Sequence, residues 1–289
     1  MESHGATGPL GPVAILGPGL IGGSLGLALH RHCPTAEVRM WARSPEPLEK
    51  VRVLGFAAAA STDLVEIVDG ARCVVLCTPV ETMPDLARRM LPALDPDAIV
   101  TDAGSVKGSV VAECEAILGG RFIGAHPIAG SDRTGIDAAT AELYDDATCV
   151  LTPTAQTAPA ALQIARELWQ HVGCHILEMS PEAHDAALAR TSHLPHAVAS
   201  AVAAAIDRSV ADWPELAGSG YRDATRIALG NPDLWTGILL ANRAEVSTSI
   251  AELSEILQNM RAALEAGDAA AIRALLAEGQ TARQRFDGI

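Results

Sequence analysis

Residues 13–22, VAILGPGLIG, join an apolar run to the spacing G-x-G-x-x-G. With a strand before it and a helix after it, this spacing is typical of a loop that binds the pyrophosphate of a dinucleotide. Gly17 permits the tight turn, Gly19 lets the phosphates approach the backbone, and Gly22 lets helix and strand pack closely. Free amides at the start of the helix then hold the phosphates. The residues predicted to bind the cofactor in this loop are Gly17, Gly19, Leu20, Ile21 and Gly22.

The end of the second predicted strand indicates which dinucleotide is bound. Enzymes that use NAD usually place Asp or Glu there, where it binds the ribose 2′-hydroxyl. This chain has WARS at 41–44 instead, and Arg43 and Ser44 could hold a 2′-phosphate through a charge-assisted bond and a hydroxyl. We therefore expect NADP rather than NAD; the alternative is a solvated Arg43 in an enzyme that uses NAD. Two further residues, after the apolar run 73–76, are predicted to line the same cofactor site: Thr78 and Pro79.

Four other segments group polar residues. Residues 102–107 and 125–132 each follow an apolar run, and they contain Ser105 and His126. Because ligands bind outside the carboxyl ends of strands in open α/β sheets, both residues are predicted to face the cofactor side. The other two segments, 191–196 and 220–227, lie in the second half of the chain and supply histidines and arginines.

The elements that must position these residues fall into two regions. Strands are predicted at 13–16, 37–41, 73–76, 98–101, 122–124, 148–151 and 175–179, with helices between several of them at 20–31, 80–91 and 158–171. This alternation predicts an α/β fold with a mostly parallel, Rossmann-type sheet. From Ser180-Pro181-Glu182, a capping serine followed by proline, only helical patterns remain. We therefore predict a dinucleotide-binding domain at 1–180 and an all-helical domain at 181–289.

The amino-acid composition excludes some classes of binding partner. The 289 residues carry a net charge of −14 and contain no run of basic residues, which argues against nucleic acid and anionic membranes as partners. No apolar stretch approaches the ~20 residues of a membrane span, and no signal peptide is evident, so we expect a soluble, cytoplasmic protein.

The six cysteines are scattered and are interpreted as free thiols, without a disulfide or a metal. The Ala-rich helical half would struggle to bury its faces alone, which favours a homodimer.

Taken together, the motifs resemble one family. They are GPGLIGGS (17–24), DAGSVK (102–107), HPIAGS (126–131), HLPH (193–196), YRDATRIA (221–228) and NPDLW (231–235) followed by Asn242. In this order, over nearly the whole chain, they are similar to the prephenate/arogenate dehydrogenases. The resemblance implies oxidative decarboxylation of a cyclohexadienyl acid with NAD or NADP, in tyrosine biosynthesis, by a dimer with a helical dimerisation domain.

The resemblance also implies roles for individual residues. His126 would accept the proton of the substrate's ring hydroxyl, and Ser105 would orient His126 or contact that hydroxyl. Arg226 would bind the ring carboxylate, with Asp223, three residues earlier, orienting it. The other residues predicted to contact or enclose the substrate are His196, Ser192, Ser131, Asp132 and Trp235.

The resemblance has one departure. Asp132 stands where the family usually has Glu, one methylene longer. A carboxylate near the substrate's amino group would favour arogenate over prephenate, and Asp132 and Asp137 are both candidates for it.

Each residue also has an ordinary structural explanation. His126 could satisfy a loop carbonyl, Ser105 could cap a helix, and Asp223 and Arg226 could form a surface ion pair. His193 and His196 could be helix-face residues, and without a third ligand at zinc-site spacing they predict no metal.

Two alternative functions are also considered for the whole chain. One is a β-hydroxyacid dehydrogenase or pyrroline-carboxylate reductase; the hydroxyacid class needs a lysine in its helical part, where this chain has none after Lys107. The other is a non-catalytic NADP-sensing dimer, which would not need His126, Ser105 and Arg226 together.

Overall fold

The computed structural model describes residues 10–131, 133–210 and 214–287, and its centre is an eight-stranded sheet. The strands are β1 (Val13–Leu16), β2 (Val38–Trp41), β3 (Ala59–Ser61), β4 (Cys73–Leu76), β5 (Ile99–Asp102), β6 (Phe122–Pro127), β7 (Thr148–Thr152) and β8 (His175–Glu178). Their order in the sheet is β3-β2-β1-β4-β5-β6-β7-β8. Neighbouring strands are parallel except β6 and β7, which are antiparallel.

Six helices connect or follow these strands, and six more complete the described chain. The first six are α1 (Leu20–His32), α2 (Pro45–Leu54), α3 (Leu64–Val68), α4 (Met83–Met90), α5 (Gly108–Leu118) and α6 (Pro159–His171). The others are α7 (Pro181–Leu188), α8 (Leu194–Val210), α9 (Ser219–Thr225), α10 (Pro232–Ala241), α11 (Arg243–Ala266) and α12 (Ala269–Asp287).

The central strands are apolar on both faces because helices cover both sides of the sheet. In β1, Val13 and Ile15 join one buried cluster while Ala14 and Leu16 join the other. Strands buried on both faces appear in a sequence as continuous apolar runs rather than as alternating patterns. This is why the runs at 13–16 and 73–76 predict their strands with correct boundaries.

The predicted fold class is confirmed: a mostly parallel, Rossmann-type sheet is followed by a helical region. Two details differ. The edge strand β3 was not predicted, because its Ala-rich sequence has little strand propensity. Strand β6 continues to Pro127 rather than ending at residue 124, because antiparallel pairing with β7 extends it, so His126 lies within a strand.

Helix α7 begins where the sequence predicts it. The Ser180 hydroxyl accepts a hydrogen bond from the Ala183 backbone N–H, and Pro181 occupies the first turn. The chain divides into two compact units, of which the first ends at Asn242 and the second begins at Arg243. Helices α7 to α10 thus belong to the same unit as the sheet, and α11 and α12 pack against each other in the second. A boundary between domains near Ser180 stays a prediction.

Within the described residues, no helix is both long and apolar enough to cross a bilayer.

Candidate active site

The glycine-rich loop between β1 and α1 has the geometry of a phosphate cradle. Gly17 has a φ of +113°, which a residue with a side chain rarely adopts, and its N–H donates to the Trp41 carbonyl at 2.9 Å. A Cβ at Gly22 would lie 2.1 Å from the Gly17 carbonyl oxygen, so only glycine fits this close helix–strand contact. A Cβ at Gly19, in contrast, would meet nothing within 4 Å. The loop therefore leaves open space at the start of α1, which fits a dinucleotide pyrophosphate.

A cavity of about 720 Å³ opens beside this loop. It brings together six of the nine residues predicted to bind the cofactor: Gly17, Gly19, Arg43, Ser44, Thr78 and Pro79. The other three, Leu20, Ile21 and Gly22, form the first turn of α1 and are not among the residues that line the cavity. The volume and the glycine cradle suit a nicotinamide dinucleotide.

The same cavity contains charged residues that the sequence analysis missed. Lys50 on α2 forms an ion pair with Asp137, so Asp137 is engaged in the nucleotide cavity. Its contact with a substrate amino group stays a prediction. Arg89 on α4 lies 3.7 Å from Asp85 and packs over the ring of Trp41, with 5.9 Å to the ring centroid. No sequence motif predicts that these residues lie in the cavity, because they come from different helices.

His126 lies in β6, opposite Val150 of β7, and is only 8% exposed. Its Nδ1 lies 2.8 Å from Nε2 of His184 on α7, and His184 Nδ1 lies 2.8 Å from Asp185 Oδ1. Burial lowers the pKa of His126 well below its ordinary value of 6.5, and the charges of His184, Lys107 and His193 act in the same direction. His126 is therefore neutral at neutral pH and can accept a proton.

A buried ion pair holds the end of β6 in place. Lys107, with no exposed surface, pairs with Asp102 and donates a hydrogen bond to the Ala125 carbonyl at 2.9 Å. The other Asp102 oxygen accepts from the Ala125 N–H at 2.9 Å. Both backbone polar groups of Ala125, the N–H and the carbonyl, are thus hydrogen-bonded. This fixes the backbone immediately before His126 and positions its imidazole.

Ser105, in the loop between β5 and α5, is half-buried, but His126 is not its hydrogen-bond partner among the described residues. The predicted orientation of His126 by Ser105 is therefore not seen; His184 takes that place. Ser105 does not cap α5 either, because Asp185 accepts from the N–H groups of Lys107 and Gly108, both at 2.8 Å.

The HLPH segment lies at a π-helical turn, Ala189–His193, and the start of α8. His193 is buried, and its Nδ1 lies 3.1 Å from the Asn242 side-chain amide. Burial lowers the pKa of His193 to about 4. His196 stacks on the ring of Trp235 from α10, with centroids 3.6 Å apart. The structure therefore brings His196 and Trp235 together, as a shared wall requires.

Arg226 begins a 3₁₀ turn, Arg226–Leu229, that packs on α8, and its side chain is exposed. Among the described residues it forms no ion pair with Asp223, which is also exposed. The predicted orienting contact is absent because α9 ends at Thr225, so the two residues do not share a regular helical face.

Of the remaining predicted substrate residues, the structure describes Ser192 and Ser131, and neither is fully buried. Ser192 is half-buried in the π-helical turn. Ser131 lies in the exposed loop after β6, where its hydroxyl accepts from the Arg133 N–H at 3.1 Å. Asp132 lies outside the described residues.

The parallel sheet, the glycine cradle and the histidine at the same sheet edge define the class: an NAD(P)-dependent dehydrogenase with a Rossmann-type nucleotide domain. Family models described as the nucleotide-binding and dimerization domains of prephenate dehydrogenase match residues 25–178 and 180–278. The chain belongs to the prephenate dehydrogenase family. This confirms the resemblance identified in the sequence.

Individual relatives agree with this assignment. Cyclohexadienyl dehydrogenase of Zymomonas mobilis is 34% identical over 94% of both chains, and prephenate dehydrogenase of Bacillus subtilis is 32% identical over 96% of this chain and 76% of its own. Prephenate dehydrogenase of Aquifex aeolicus, solved with hydroxyphenyl propionate and NAD⁺, matches with a TM-score of 0.89 and 32% identity over 95% of this chain and 98% of its own. Synechocystis arogenate dehydrogenase matches with a TM-score of 0.82 and 31% identity over 95% and 99%.

Proposed function

We propose that this protein oxidatively decarboxylates prephenate, arogenate or both in tyrosine biosynthesis, giving 4-hydroxyphenylpyruvate from prephenate and tyrosine from arogenate. The observation that carries the proposal is the position of His126. The phosphate loop follows β1, and His126 lies near the carboxyl end of β6, with β4 and β5 between them in the same parallel array. A base and a dinucleotide site along one sheet edge are what a hydroxyl-oxidising dehydrogenase needs.

His126 accepts the proton of the hydroxyl on the ring carbon that is oxidised. When bound in the glycine cradle, the nicotinamide supplies the hydride acceptor. His126 suits its part because it is neutral and because its Nε2 has no hydrogen-bond partner among the described residues. Ser105, with His126 bonded elsewhere, is left with its other proposed role, a contact with the substrate hydroxyl.

Arg226 binds the ring carboxylate that leaves as carbon dioxide. A planar guanidinium matches a carboxylate, and the exposed Arg226 is not engaged by Asp223. His196 and Trp235, which stack on each other, form an adjacent wall, and His193 lies close enough to His126 to lower its pKa. Ser192, Ser131 and Asp132 complete the proposed contacts with the substrate side chain, and Asp223 stays a candidate for orienting Arg226 once substrate is bound.

NADP is the proposed cofactor, with NAD as the alternative. Arg43 and Ser44 line the cavity, as the binding of a 2′-phosphate requires, and Lys50 lies on the same cavity wall. Glu46 also lines it, and a hydrogen bond from Ser44 lowers the pKa of this exposed carboxyl group. For NADP to be preferred, the attraction of Arg43 and Lys50 for the 2′-phosphate must therefore exceed its repulsion by the Glu46 carboxylate.

A homodimer through the helical region is the proposed assembly. The unit formed by α11 and α12 exposes large apolar side chains at Ile250, Ile256, Leu257, Leu264, Leu276 and Phe286. Exposed apolar surface of this extent marks a protein–protein contact, and the matching model for 180–278 is described as a dimerization domain. Sedimentation at micromolar concentration tests this: a monomer would reject the dimer.

The function is tested by incubating the full chain with NADP or NAD and with prephenate or arogenate, while following the near-ultraviolet absorbance of the reduced nicotinamide. We expect reduced cofactor with at least one acid, together with 4-hydroxyphenylpyruvate or tyrosine in equal amount. A 3-hydroxy acid is the control substrate. Turnover of the control alone, or no turnover of either cyclohexadienyl acid, would overturn the proposal. The ratio of kcat/KM values ranks the two acids.

A further inference from the structure

We infer that His184 and Asp185 act as positioning residues that hold His126 in one tautomer, with the proton on Nδ1, so that Nε2 is the atom that accepts the substrate proton. The inference deepens the proposed function and rests on it for its catalytic part. The three residues together are called the base cluster: His126, His184 and Asp185.

The tautomer follows from which atoms can donate. An ionised carboxylate only accepts hydrogen bonds, so the 2.8 Å contact between Asp185 Oδ1 and His184 Nδ1 places a proton on that nitrogen. In neutral His184, Nε2 then carries a lone pair. The 2.8 Å contact between His184 Nε2 and His126 Nδ1 therefore requires the proton to lie on His126 Nδ1. His126 Nε2 is left with its lone pair free.

The N-terminal end of α5 keeps Asp185 ionised and fixes its position. Burial alone would raise its pKa, but hydrogen bonds from His184 and from the backbone N–H groups of Lys107 and Gly108 outweigh burial, and the pKa is lowered. Both backbone bonds, at 2.8 Å, lie at the N-terminal end of α5. A Cβ at Gly108 would lie 2.8 Å from Asp185 Oδ2, so this residue must be small.

The surroundings of His126 are consistent with a neutral ring. Lys107 at the start of α5 is paired with Asp102 of β5, His193 lies in the π-helical turn, and Cys149 lies on the neighbouring strand β7. Burial raises the pKa of Cys149, so its thiol is uncharged. When Nε2 takes the substrate proton, the Nδ1–H remains bonded to His184, which is itself oriented by the Asp185 carboxylate. The cluster thus gives the new imidazolium a hydrogen-bond acceptor without rearrangement.

The first test needs no turnover. Full-length protein labelled with ¹⁵N-histidine is examined by long-range ¹H–¹⁵N NMR, and the His126 signals are assigned by their loss in His126→Asn. We expect an unprotonated Nε2 in the wild type and loss of that preference in His184→Leu, which removes the acceptor at similar volume. A wild-type His126 that carries its proton on Nε2 would overturn the inference.

The second test is kinetic. Since general-base catalysis contributes about 10²–10⁴-fold, we expect His184→Leu to lower kcat by roughly tenfold to a hundredfold and to leave the KM for cofactor unchanged. His184→Gln, whose amide oxygen can accept from His126, should recover part of the loss. Glu115→Gln, which weakens another buried polar contact on α5, is the control for general destabilisation. A His184→Leu enzyme with a lower Tm but normal kcat would show a merely structural role.

The two proposals fail separately. If the wild type oxidises neither cyclohexadienyl acid, the proposed function fails, and the NMR experiment still decides the tautomer. If the wild type is active and His184→Leu equals it, this inference fails and the proposed function stands.

Discussion

The base cluster and the segment that carries Arg226 are built in opposite ways. In the base cluster every link is buried and bonded within the chain, from the α5 backbone through Asp185 and His184 to His126. In the segment Ser219–Leu229, Asp223 and Arg226 are both exposed and form no ion pair with each other. The chain alone thus completes the group proposed to accept the proton and leaves unpaired with Asp223 the group proposed to bind the carboxylate.

The difference follows from the cost of burial. A neutral imidazole can be buried at modest cost if its N–H is bonded, whereas an unpaired guanidinium cannot. The exposure of Arg226 is what its proposed role requires, because its guanidinium would be desolvated only when a substrate carboxylate pairs with it. The comparison predicts that changes in the base cluster act on turnover and changes in the open segment act on substrate affinity.

Removing the imidazole should have the largest effect. His126→Asn is expected to lower kcat by about 10²–10⁴-fold, because proton transfer to a positioned base contributes that much. Cofactor binding, followed by tryptophan fluorescence because Trp41 lines the cavity, should be unchanged. Near-normal turnover would refute His126 as the base. It would also contradict the prediction that the base cluster acts on turnover and the Arg226 segment on substrate affinity.

Removing the guanidinium should act mainly on KM. Since a hydrogen bond to a charged group contributes about 1.5–3 kcal/mol, Arg226→Ala should raise the KM for the cyclohexadienyl acid by roughly tenfold to a hundredfold. The KM for cofactor should not change. Arg222→Ala, an exposed arginine of the same helix region, is the matched control. Equal effects of the two variants would mean that only net charge matters.

The pH dependence of stability should separate the two regions as well. The pKa values of His126, His193 and His196 are all lowered, chiefly by burial. Below pH 6.5 the unfolded chain therefore binds more protons than the native chain, and the free energy of unfolding falls as the pH falls. We expect a loss on the order of 1–3 kcal/mol between pH 7 and 5 in urea denaturation. His126→Asn should make this loss smaller, whereas Arg226→Ala should not alter it.

The smallest expected effect concerns the cofactor. Arg43→Ala should raise the KM for NADP by roughly fivefold and leave that for NAD unchanged, because an exposed charged contact contributes about 1 kcal/mol. Arg52→Ala, on the same helix as Lys50 but paired with Glu49, is the control. A wild-type enzyme that clearly prefers NAD would defeat the proposal for Arg43.

Local patterns in the sequence predict much of the sheet, the glycine loop and the start of α7. The structure shows these elements because strand burial, glycine geometry and helix capping act over a few residues. The contact between His126 and His184 could not be predicted, since no spacing indicates a pairing across 58 residues. Lys50 in the nucleotide cavity was missed for the same reason, and the Asp223–Arg226 pair was overpredicted because its spacing assumes an unbroken helix.

The buried ion pair of Lys107 has a practical consequence for chemical labelling. The chain has only two lysines, and Lys107 is inaccessible while Lys50 is exposed in the cavity wall. Amine-directed reagents acting on native protein can therefore modify one lysine side chain, in addition to the amino terminus. Because that lysine borders the nucleotide cavity, its rate of acylation would report occupancy of the cavity directly, without any enzymatic turnover.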